Sequence, residues 1–162
     1  MLVESSGYST RVKDSAARVP ANAPTKSPRL TMKLLNNFLA MGYAAIYSEA
    51  LMVGAKAGLS PAVFDAVIRN GRMDCPFYRT FFQYVIERDR NAHRFTLANA
   101  LKDVTYLAGF AGALGVANPV GATVRNSFAQ AVASGHGEDY VPMLSDLVAE
   151  WNGTSLAAKA GG

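Results

Sequence analysis

Leu35, Leu39, Gly42, Ile46 and Val53 recur at steps of three, four and seven residues, a helical period that no strand can keep. Leu34, Phe38, Ala45 and Met52 widen the stripe. Between residues 38 and 47 the segment is apolar or small on nearly every side. This predicts one helix from residue 31 to Lys56 or Ala57, stopped at Gly58 and about 39 Å long. A helix of that kind is buried, within its domain or against a partner, so the rest of the chain must be built around it. No run of about 18 uninterrupted apolar residues occurs, which argues against a membrane span.

The remaining punctuation is also helical. Ser60-Pro61 places a capping side chain before a proline at the first helical position, with Val63, Ala66, Val67 and Asn70 following and Gly71 as the stop. Asp74-Cys75-Pro76 opens a helix whose apolar face is Phe77, Phe81, Phe82, Val85 and Ile86; residues 81–86 could pass for a strand, but their flanks and length favour helix. A helix over 97–114 turns Leu97, Leu101, Val104, Leu107, Ala108 and Ala111 inward. Asn118-Pro119 opens another, closed by Gly135, and a last one runs over 140–151 before Asn152-Gly153. With no alternating strand, βαβ unit or internal repeat, residues 31–152 read as an all-α, multi-helix domain.

Composition excludes several functions. The 162 residues carry a net charge of +4. Residues 1–30 hold five of the basic groups against two acidic ones, whereas residues 31–162 are nearly neutral, with eleven against ten. No Lys/Arg stripe marks a nucleic-acid surface. One cysteine, Cys75, excludes an internal disulfide, and His93 and His136 lie too far apart to form a helical metal-binding pair. Residues 1–30, rich in serine and proline and without an apolar period, read as a disordered or unrelated leader. Residues 153–162 read as a flexible tail.

Among polar residues, Lys33 and Asn37 are four apart and share one helix face. A lysine in a first turn feels the positive helix end, which eases proton loss and suits acid–base chemistry, although a lysine with a polar neighbour is ordinarily a solvated pair. Lys102 and Asp103 point to different sides of their helix, and Asn99 lies four residues before Asp103. The Gly109, Gly112 and Gly115 series follows no strand and is not a phosphate loop. Residues 87–90, alternating in sign, read as a solvated helix end.

In order, these residues resemble the C-terminal helical domain of the β-hydroxyacid dehydrogenases, which include 3-hydroxyisobutyrate dehydrogenase and tartronate semialdehyde reductase and are related to 6-phosphogluconate dehydrogenase. Lys33-Leu34-Leu35-Asn36-Asn37 resembles the family's catalytic segment. Glu49-Ala50 with Gly58-Leu59, Phe95-Thr96-Leu97 with Lys102-Asp103, and Asn118-Pro119-Val120 follow as that pattern does.

The resemblance implies that Lys33 is the general acid/base in oxidation of a 3-hydroxy acid or reduction of its semialdehyde, and that Asn37 binds substrate. It implies that Lys102, Phe95 and Asp103 face an NAD or NADP cofactor. It further implies a cytoplasmic homodimer, joined through the helical domain. The family places glycines six and four residues before the lysine, where this chain has Ser27 and Arg29, and it places a Rossmann domain upstream, where this chain has the leader. The chain is therefore expected to supply one wall of the site and to be inactive without a separate Rossmann domain. The other reading is a non-catalytic helical dimerisation or interaction module.

Overall fold

The structure, a computed structural model, describes residues 27–156. Six helices follow in order: α1 Pro28–Lys56, α2 Pro61–Ile68, α3 Pro76–Glu87, α4 Leu97–Ala113, α5 Pro119–Ala133 and α6 Leu144–Trp151, the last preceded by a 3-10 turn, Val141–Met143. Among the described residues the sole extended pairing is an isolated bridge between Thr96 and Tyr140, so the all-α expectation holds.

α1 starts at Pro28, inside the stretch read as leader. The reason is the same signal recognised at Ser60-Pro61: the Ser27 hydroxyl accepts from Leu30 N at 3.3 Å, and proline occupies the first helical position. The rest of the leader, residues 1–26, lies outside the described residues, as do residues 157–162 of the tail. Gly58 ends α1 at φ +88°, letting Leu59 N donate to Gly54 O and Gly58 N to Ala55 O, the paired bonds of a Schellman stop. Gly115, Gly135 and Gly153 close α4, α5 and α6 in the same way. Leu156, within the stretch read as tail, is buried against the core.

α1 is the axis of the domain. It packs against α6 and α4 most extensively and also against α5, while α4 and α5 pack on each other. Met41, Ala44, Tyr47, Leu51 and Met52 from α1 meet Phe81 and Phe82 from α3, Val104 from α4, Phe128 from α5 and Leu144 from α6. By length and composition α1 could cross a membrane. Its inner face is instead the centre of this core.

The one widened stripe read from the sequence proves to be two faces. Leu34, Ala45 and Met52 are buried, whereas Leu35, Leu39, Ile46 and Val53 are exposed, Val53 by 71%. Periodicity locates an apolar face but does not say what covers it. In α2 Val63 and Val67 likewise face solvent.

Candidate functional site

Lys33 is the sixth residue of α1, because the helix begins at Pro28 rather than beyond it. It stands past the turn in which the helix end's field is felt. Its side chain is exposed. Asn37, one turn on and half-buried, shares its face. From there the Asn37 side chain reaches another helix: its Nδ2 donates to Asp103 Oδ2 at 2.6 Å, joining α1 to α4 across 66 positions of sequence.

Lys102, next to Asp103 but exposed, donates from Nζ to Asn99 Oδ1 at 3.1 Å. Asn99 is thus the partner of Lys102, and Asp103 is neither paired with Asn99 nor merely solvated; it is the α4 side of the α1 contact. Phe95 is half-buried against the core just before α4, where its carbonyl accepts from Val141 N at 2.9 Å. The structure therefore joins Asn37 and Asp103 across α1 and α4, with the exposed Lys33 one turn before Asn37 on α1. It places Lys102 on the neighbouring turn face of α4 and Phe95 at that helix's entrance.

This arrangement offers a cation, an amide and a carboxylate at an exposed rim. A dinucleotide needs in addition a glycine-rich turn between strand and helix for its pyrophosphate, and no strand occurs among the described residues. Beside this rim Lys102 stands as an exposed cation held by Asn99.

A concavity of about 380 Å³ lies between α1, α5 and α6 and is lined by residues that include Glu49, Met52, Ser127, Gln130, Trp151 and Asn152. Met52 is 19 residues from Lys33, about 28 Å along the helix. That cleft is separate from the rim around Asn37.

Sequence reasoning missed a polar latch. Arg88 adopts the left-handed conformation at φ +59° and ends α3 there. Its Nη1 donates to both Asp146 oxygens at 2.9 Å, and Tyr84 Oη donates to Asp146 Oδ2 at 2.6 Å. The supposed solvated end, residues 87–90, in fact binds α3 to α6. Arg90 adds a bond to Asp139 at 3.3 Å. A non-glycine left-handed residue has no single-residue signature; only Arg88 lying beyond an amphipathic face with Tyr84 one turn earlier hinted at it.

Residues 30–146 match the family described as "NAD-binding of NADP-dependent 3-hydroxyisobutyrate dehydrogenase". Two solved structures have a similar fold. One is a 3-hydroxyisobutyrate dehydrogenase from Salmonella typhimurium, with TM-score 0.69 and 24% identity over 85% of this chain and 50% of that one. The other is the Mycobacterium tuberculosis 3-hydroxyisobutyrate dehydrogenase with L-serine, with TM-score 0.64 and 20% identity over 73% of this chain and 42% of that one. The chain thus spans about half the length, or less, of these enzymes. No curated protein matches it.

Proposed function

Because the chain belongs to the family of NAD-binding domains of NADP-dependent 3-hydroxyisobutyrate dehydrogenases, we propose that it forms the helical wall of a dehydrogenase site acting on a 3-hydroxy acid. When bound, NAD or NADP supplies the hydride acceptor for oxidation, or the donor for the reverse. Lys33 takes the proton of the substrate hydroxyl in oxidation and returns it to the carbonyl oxygen in reduction. Asn37 holds the substrate beside it. Lys102 meets the cofactor's anionic groups, and Phe95 and Asp103 shape the rim toward it.

The observation that carries this reading is the family match over residues 30–146, within which Lys33 and Asn37 lie on one helix face and Asn37 is tied to α4. A site of this kind needs substrate and cofactor held together, so turnover requires a dinucleotide-binding domain facing this wall. The enzyme so formed would work in the cytoplasm. The chain alone should be inactive, and adding a separately produced dinucleotide-binding domain of a related dehydrogenase should produce reduced cofactor that depends on 3-hydroxyisobutyrate. Lys33→Ala should abolish that turnover without altering the circular dichroism of the chain.

The exposed apolar face of α1 supports a homodimer and, with it, the alternative of a non-catalytic dimerisation module. The two differ in one measurement: the module forms dimers but supports no hydroxyacid-dependent turnover with any added domain.

A further inference from the structure

We infer that Asp103 is a positioning residue: it locks the side-chain amide of Asn37 so that Asn37 donates to the reacting oxygen of the substrate and not to its carboxylate. This rests on the proposed function and adds to it a choice between the two ends of the hydroxyacid.

Three observations carry it. An ionised carboxylate accepts hydrogen bonds and does not donate them, so the 2.6 Å contact with Asp103 Oδ2 fixes which end of the amide faces α4. Nδ2 must point to Asp103 and Oδ1 away; the amide cannot flip without setting oxygen against oxygen. One Nδ2 proton is thereby used and the second remains to donate, polarised by the charge-assisted bond behind it. Next, Asp103 puts a negative charge directly behind the amide. A substrate carboxylate brought to Asn37 would meet that charge, whereas a neutral hydroxyl or carbonyl oxygen would not. Last, Lys33 is on the same face of α1, one turn before Asn37. The oxygen whose proton Lys33 handles is therefore the one nearest the free amide proton, and the substrate carboxylate must lie farther out.

Asp103 is half-buried and on a different helix from Asn37, so the pair also sets the spacing of α1 and α4 at the rim. Shortening Asp103 frees the amide to rotate without removing any group that touches substrate.

The test is two-dimensional amide NMR of the full chain, following the Asn37 side-chain NH2. In the free protein this resonance should stand apart from that of exposed Asn126, with slowed exchange with water, and Asp103→Ala should remove the difference while distant backbone resonances stay in place. Exchanging the partners, Asn37→Asp with Asp103→Asn, should restore a displaced side-chain amide, now at position 103. With the dinucleotide-binding domain and oxidised cofactor present, adding 3-hydroxyisobutyrate should shift the Asn37 side-chain resonance of the unaltered chain. Isobutyrate, which keeps the carboxylate and lacks the hydroxyl, should not, and Asp103→Ala should lose this discrimination. An Asn37 amide indistinguishable from Asn126, or unmoved by Asp103→Ala, overturns the positioning role whatever the chain's function. Equal shifts with both acids overturn the choice of the reacting oxygen. A locked amide that neither acid moves overturns that choice and the hydroxyacid reading together.

Discussion

His93 is held in its neutral form by its surroundings. Thr80 donates its hydroxyl proton to Phe77 O, so its oxygen accepts from His93 Nδ1 at 3.4 Å, and His93 Nε2 is the bare nitrogen. That nitrogen is buried with no hydrogen-bond partner among the described residues, and Phe77 packs edge-on against the ring. Burial therefore holds the imidazole below its ordinary 6.5. The unfolded chain takes up the proton more readily, so this contribution to stability is complete above pH 6.5 and is lost as pH falls. Melting temperature should decline on acidification from pH 7 to 5, and His93→Asn should flatten the decline. Asp74 acts at lower pH. Its bonds from the Arg79 guanidinium and from Asn70 N lower its carboxyl from 3.8 to about 2. Its stabilisation is present above pH 3.8 and is lost as pH falls through about 2; Asp74→Asn should remove that part of the acid transition. Of these residues, Lys33 and Asn37 were legible as an i,i+4 pair, and the pattern of surrounding motifs gave the pair its meaning. The partner of Asn37 was not legible, because a bond across 66 positions leaves no local trace.

Helix boundaries were the most readable elements. Serine or asparagine before proline, and glycine after the last apolar residue, have local physical causes and worked for α2, α5 and the ends of α1 and α4. Ser27-Pro28 carried the same signal but sits in a serine- and proline-rich stretch, where composition masked it. Gly121 tests how tight one cap is. Asn118 Oδ1 accepts from Gly121 N at 3.0 Å, and a Cβ at Gly121 would collide with the Asn118 side chain. Gly121→Ala should displace the cap and cost about 1–2 kcal/mol in denaturant unfolding. The α3–α6 latch is a second test. Asp146→Ala should cost about 2 kcal/mol, since it strands two charged or hydroxyl donors. Burial, first, and the bond to Asp146 raise Tyr84 from 10.0 to about 12. The Tyr84 contribution is therefore complete below pH 10 and lost as pH rises through about 12, a loss that Asp146→Ala should diminish.

At the scale of the molecule, α1 exposes two separate sides, one polar and one apolar. At about 100° per residue, the exposed line Leu35, Leu39, Ile46 and Val53 lies roughly opposite Lys33 and Asn37. A second copy docked along that line would leave the chemical rim open. The homodimer proposal therefore predicts a particle of twice the chain mass by light scattering, and Leu39→Glu with Ile46→Glu should give the monomer while keeping the helical spectrum. The sequence pattern showed α1 to be apolar on nearly every side, but it could not divide that surface between core and solvent. That division depends on where α3, α4, α5 and α6 pack, which is a property of the assembled domain.

The proposed proton transfer by Lys33 is the step on which the dehydrogenase reading depends. Its most direct measurement is reduced-cofactor formation from 3-hydroxyisobutyrate by the chain mixed with such a domain, with and without Lys33→Ala. Turnover is expected with the unaltered chain, and its loss with Lys33→Ala at unchanged melting temperature. Equal rates for the two chains, or no turnover with a domain that binds cofactor and associates with this chain, would contradict it.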